Sequence, residues 1–161
     1  MIELPPILLL KNYQSENEML RDAYRIFIHD FIDFPPSLKG KKVETRSEIM
    51  ANGYHQTFWH IITEGSHREE DNIKSERLER IPWINPAIEG QPDEEWYLWV
   101  ENRSRRRRRI HIFSSKIQFL IVIEQDTETK KEVFWTAYPI DENHEVRKLL
   151  KRYSENKDNK L

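Results

Sequence analysis

The chain reads as an α+β domain: N-terminal helices, a four- to five-stranded antiparallel sheet, then a C-terminal helix. Three observations predict this. Apolar residues recur at helical intervals between residues 16 and 33. Four runs between 95 and 140 are rich in β-branched and aromatic residues and are joined by short polar links. A charged stretch with helical character follows Ile140.

Each element has its own signal. Ser15 and Glu18 have the spacing of a capping box. Leu20, Tyr24, Phe27, Ile28 and Phe31 then mark one face of a helix over 16–33, and "FPP" at 34–36 stops it. Residues 38–57 are polar and fit either a short strand or a second helical turn. "TFWHIIT" (57–63), ended by Gly65, reads as a buried strand. The stretch 75–90 reads as a helix interrupted by Pro82 and Pro86. Strands are expected at 95–101, 107–113, 117–124 and 132–140, the later three joined as hairpins. "DENHEVRKLLKRYSE" closes the domain as a helix with Asp141 as N-cap. Residues 1–153 thus form one domain, and 154–161 a flexible tail.

Composition narrows the classes. The formal net charge is −2 and the mean hydropathy −0.83, yet 5 Trp, 6 Tyr and 7 Phe suffice for a small core. No cysteine is present, which excludes disulfides, thiolate metal sites and a cysteine nucleophile, and suits a reducing compartment. "MIELPPILLLK" lacks a basic leader and is too short to span a bilayer, so a cytoplasmic protein without membrane attachment is expected. Four glycines make phosphate-binding loops, dinucleotide fingerprints and nucleophile elbows improbable. No cofactor or metal cluster is evident; Glu69, Glu70 and Asp71 beside His67 and Arg68 read as a loop.

The most unusual stretch is "NRSRRRRRIHIF" (102–113). Residues 102–116 carry seven Lys or Arg and no Asp or Glu, a local charge of +7 in a slightly acidic chain. Such a run is either a solvated basic segment or a phosphate-binding surface. Strand alternation favours the second reading for part of it. With Ile110 and Ile112 facing the core, Arg107, Arg109, His111 and Phe113 share the opposite face. Phe58, His60 and Ile62 would share one face of the strand 57–63, and Phe134, Thr136 and Tyr138 one face of the last strand. Three strands would then offer His60, the arginines with His111, and Thr136 with Tyr138 to one open face. Such a face suits metal-free RNA cleavage, in which histidine moves protons near neutral pH and guanidinium forks hold phosphate. The plain readings stand beside it. His60 next to Trp59 also fits a structural histidine, and Trp83, Trp96 and Trp135 fit core residues. His55, His67 and His144 stand in no pattern and read as surface residues.

The order of a helix, "FWHIIT", "RLERIPWI", "RRRRIHIF", "FLIVIE" and "FWTAYPI" resembles the barnase–EndoU–colicin–RelE-like superfamily of metal-independent ribonucleases, in particular small phage- or mobile-element-associated members. The likeness spans about residues 55–153 and is carried most by "WTAYP" at 135–139. The resemblance implies a toxin-like endoribonuclease with catalytic His60, Arg80, Arg109, Thr136 and Tyr138. Arg77, one turn before Arg80, accompanies it as a substrate-binding residue. Five arginines exceed what such a site requires, so Arg105, Arg106, Arg107 and Arg108, with His111, are assigned to substrate binding. The resemblance also implies transfer RNA or ribosome-associated RNA as partner, and a cognate inhibitor protein. Two other classes stay open: a noncatalytic nucleic-acid-binding module, and an interaction or immunity-type protein that docks through its basic strand.

Overall fold

The computed structural model describes residues 1–46, 48–65 and 72–161. His67, Arg68 and the carboxylates at 69–71 lie outside the described residues. Helix α1 (Glu16–Phe27) starts where the capping box predicts. Ser15 Oγ accepts from the Glu18 amide at 3.1 Å, and the Glu18 carboxylate accepts from the Gln14 amide at 3.3 Å. Met19, Ala23 and Phe27 repeat every fourth residue and are buried. The helix widens into a π-helical segment, Ile28–Asp33, which carries Phe31 inward before the prolines end it.

Two short strands follow, β1 (Ser37–Leu38) and β2 (Lys41–Glu44). Helix α2 is Gln56–Ile62, α3 is Ser75–Leu78 and α4 is Ile81–Glu89. Pro82 sits in the first turn of α4, where no amide bond is lost, and Pro86 is accommodated in the same helix. The stretch expected as a strand at 57–63 is therefore helical. Its buried residues, Thr57, Phe58, Ile61 and Ile62, follow the helical repeat, with Trp59 beside them. A short apolar run carries no periodicity that separates the two states, and here a local cap decides. His55 Nδ1 accepts from the Thr57 amide at 3.3 Å and starts the helix. His55 is thus buried rather than superficial, and burial pushes its pKa down, which keeps the nitrogen an acceptor.

The meander β3 (Tyr97–Asn102), β4 (Arg107–Ser114), β5 (Phe119–Asp126) and β6 (Glu132–Pro139) forms close to the expected limits. The complete sheet has six strands in the order β1-β2-β6-β5-β4-β3. It is mixed, because β2 pairs parallel with β6, where an antiparallel sheet of four or five strands was expected. The two extra strands come from the polar stretch that gave no clear sequence signal.

Helices also cover both faces. The main core lies between one sheet face and α1, α2 and α4, and includes Phe27, Phe58, Ile84, Ile110, Ile112, Ile121 and Phe134. A second cluster on the other face joins Trp99, Phe113, Leu120 and Val122 to Leu149 of α5 (Asn143–Asn156). The second face is therefore partly roofed, not wholly open. Asp141 does not cap α5, whose N-cap position is Glu142 without a side-chain bond. The expected tail is also held in part: α5 continues to Asn156, and Asn159 donates to the Val100 carbonyl at 2.9 Å. Among the described residues no helix is long and apolar enough to cross a membrane.

Candidate functional site

Sheet register defines the second face. Glu101, Arg109, Glu124 and Val133 lie in one cross-strand row. Trp99, His111, Val122 and Thr136 form the next, and Tyr97, Phe113, Leu120 and Tyr138 the third. The expected partition of β4, with Ile110 and Ile112 inward and Arg107, Arg109, His111 and Phe113 outward, is what the register displays. In β6 the alternation breaks. The pairing slips between Val122 and Ile123, so one extra residue enters β6 between Phe134 and Thr136. Phe134 joins the main core, while Trp135 and Tyr138 pack on the second cluster. A bulge turns consecutive residues in this way by leaving one unpaired and bending the strand. Phe134 does not share the face of Thr136 and Tyr138, as strict alternation predicted.

The unpaired residue, Trp135, is the centre of the site. The Arg46 guanidinium lies 4.3 Å from its ring centroid, and the Arg109 guanidinium 5.2 Å. The His60 ring, from α2, stands 5.3 Å away, centroid to centroid. Electron-rich indole attracts guanidinium groups and fixes their planes. One side chain therefore gathers His60 and Arg109, which come from a helix and a strand. Thr136 follows directly, largely buried at 8% exposure. Tyr138 is two residues further, with the Arg77 guanidinium 4.9 Å over its ring. Arg77 also donates to the Thr63 carbonyl at 3.2 Å and lies 3.9 Å from Glu64.

Two clefts flank this cluster. One, of about 400 Å³, runs between β6, α3 and α5 beside Tyr138 and Arg77. Five carboxylates line it: Glu64, Glu76, Asp141, Glu142 and Glu145. The other, of about 460 Å³, is lined by Arg46, Arg107, Lys131, Glu124 and Asp126 with neighbouring residues.

The remaining predicted residues separate. Arg80 turns to the other side of α3, with its guanidinium 5.2 Å over Trp83 and bonded to the Glu76 carbonyl at 2.9 Å. Trp83 in turn packs on Phe119 of the main core, so Arg77, not Arg80, reaches the second face. Arg105 is exposed in the β3–β4 link. Arg106 is 3.5 Å from Asp126 and 3.4 Å from Glu128. Arg107 and Arg109 each lie 3.9 Å from Glu124. Arg108 bonds the Gln125 side chain at 3.2 Å and the Lys160 carbonyl. The +7 counted along the sequence is thus offset across the hairpin by carboxylates of β5 and its turn.

His111 is buried at 2% exposure beneath α5 and presents no free surface for a substrate. Its ring stacks on Trp99 with centroids 4.9 Å apart. Arg152 of α5 reaches His111 Nε2 at 3.1 Å and Glu101 at 2.8 Å, and Trp99 Nε1 donates to the same carboxylate at 2.7 Å. Arginine only donates, so Nε2 accepts and the ring is neutral. Burial, with Arg152 and Arg103 nearby, outweighs Glu101 and pushes the His111 pKa down to about 4. His144, by contrast, is at the surface between Glu142 and Glu145.

Sequence reasoning missed Arg46, the role of Trp135 and the carboxylates opposite the arginine run. Only the aromatic–basic composition of β4 and β6 hinted at them. Comparison with protein-family models, with curated proteins and with solved structures returned no match.

Proposed function

We propose that the second sheet face is a ribonuclease site, in which His60 moves a proton and Arg109, with Thr136, holds the scissile phosphate. The observation that carries this reading is the convergence of His60 and Arg109 on Trp135, next to Thr136. One indole thus gathers a group that can move a proton and a fork that can hold phosphate, two of the parts that RNA transesterification uses. In that reaction a base takes the 2′-hydroxyl proton and the 2′-oxygen bonds to phosphorus. The bond from phosphorus to the 5′-oxygen breaks, and an acid protonates that oxygen. The products are a 2′,3′-cyclic phosphate and a 5′-hydroxyl. His60 serves one of the proton steps. Arg109 meets the ground-state phosphate and, more strongly, the charge that builds on the phosphorane. Tyr138, fixed beneath Arg77, borders the same strand end. The likeness to metal-independent, toxin-like ribonucleases supports the same reaction, with transfer RNA or ribosome-bound RNA as substrate and an inhibitor protein as its restraint.

The test is purified protein with total transfer RNA and ribosomal RNA, wild type beside His60→Ala, with and without chelator. Wild type should leave cyclic-phosphate ends in both conditions. His60→Ala should lose about 10²–10⁴-fold in cleavage rate while still binding RNA. Equal rates in the variant would remove His60 from the reaction. Loss of cleavage on chelation would point to a metal nuclease, and binding without cleavage to a noncatalytic RNA-binding module.

A further inference from the structure

The cations around Trp135 are not equivalent. Arg107 and Arg109 share Glu124, each at 3.9 Å, and Lys131 faces Glu44 at 3.8 Å. A phosphate entering beside any of these competes with a carboxylate already in place. Arg46 differs. Among the described residues it makes no ion pair, and its guanidinium rests on the indole at 4.3 Å. Its main chain is anchored separately, because its amide donates to Thr57 Oγ1 at 3.3 Å, at the start of the helix that carries His60. Among the described residues the one hydrogen bond that Arg46 donates comes from its backbone amide, and its guanidinium N–H groups make none. Those are the groups that grip a phosphate in two-point fashion. Arg46 also lines the cleft that holds Arg107 and Lys131.

The two clefts differ in the same sense. At the Tyr138 end five carboxylates outnumber Arg77 and Arg152 and repel a phosphodiester chain, whereas at the other end Arg46, Arg107 and Lys131 outnumber Glu124 and Asp126 and attract it.

We infer that Arg46 is the principal anion-binding residue of this face, and that RNA phosphates run from Trp135 into the cleft of Arg46, Arg107 and Lys131 and away from the acidic cleft by α5. The inference deepens the ribonuclease reading and rests on it for the identity of the anion as RNA. Arg46 is a binding residue that precedes chemistry, and its neutralisation weakens the ground-state complex.

Two measurements separate this inference from the reading beneath it. The first needs no RNA. Pyrophosphate is titrated into protein labelled with ¹⁵N, and the arginine Nε–Hε resonances are followed. The Arg46 signal should move, and at lower ligand concentration than that of Arg107. An unmoved Arg46 signal, or Arg107 responding first, overturns the inference. The second uses a fluorescent 2′-O-methyl RNA oligonucleotide, which has no free 2′-hydroxyl and cannot be cleaved by this route. Arg46→Ala and Arg46→Gln should each weaken its binding about tenfold, the loss of one charge-assisted contact. Arg107→Ala should lose less. Circular dichroism of each variant reports its folding, and the pyrophosphate arm on wild type stands if a variant misfolds. Arg46 variants that bind the oligonucleotide like wild type also overturn the inference. If Arg46 answers pyrophosphate but wild type binds no RNA, the anion site stands and the ribonuclease reading falls.

Discussion

Acidification should loosen this protein through His111, and the structure sets the size of the effect. In the unfolded chain the imidazole titrates at its ordinary value of 6.5; in the fold it titrates at about 4, held neutral by burial and by Arg152. A depressed folded value means that the unfolded chain binds the proton first. Stability from this residue is complete above pH 6.5 and is lost as pH falls toward 4. With these two values, going from pH 7.5 to pH 5 removes about 2 kcal/mol. That is a sizeable share of the 5–15 kcal/mol, roughly, that holds a domain of this kind together. The assay is urea unfolding of wild type and His111→Gln at both pH values, with the dependence on urea checked for constancy. Glutamine can still accept from Arg152 but does not titrate. Arg152, Arg103 and the buried His55 remain in both proteins, so the difference between the two pH slopes reports His111 together with its interaction with Glu101. The wild type should lose about 2 kcal/mol more than the variant. Parallel slopes would refute the reasoning, as would a His111 ring resonance that titrates at 6.5 or above.

Three further outcomes are expected. RNA affinity should fall with salt at about −0.7 in the log–log slope per phosphate neutralised on a single strand. Arg105→Ala should flatten that slope more than Arg106→Ala, because Arg106 already faces Asp126 and Glu128; fluorescence anisotropy over a salt series checks both. Phe134→Ala should cost about 3–5 kcal/mol in urea unfolding, since the ring is 1% exposed and packs on Phe31. Trp135→Ala should cost less stability but more RNA affinity, and the reverse order would contradict the bulge that sends these neighbours to opposite faces.

The sequence alone determined the parts whose signals are local. The Ser15–Glu18 cap and the prolines at 35 and 36 bound the first helix, because capping bonds and the missing proline amide act within a few residues. The period-two pattern of 107–126 placed Ile110, Ile112, Ile121 and Ile123 inward and Arg107 and Arg109 outward, since successive strand residues alternate by geometry. Tertiary structure decided what local pattern leaves degenerate. "TFWHIIT" is apolar enough for a buried strand or a buried helix, and the His55 cap, the packing of Phe58 on Tyr24 and Phe27 of α1, and a place against β6 select the helix. The bulge at Trp135 is invisible in "VFWTAYP", because it arises only when β6 pairs with β5. It moves Trp135 onto the face where Arg46, Arg109 and His60 meet. Charge changed most. An arginine run that stands unopposed along the chain meets Glu124, Asp126 and Glu128 once the hairpin closes. Coulomb attraction depends on distance in space rather than along the chain. Of the two arginines that rest on Trp135, the one that meets no carboxylate among the described residues is therefore Arg46, from a stretch with no pattern, and not Arg109 of the five in a row.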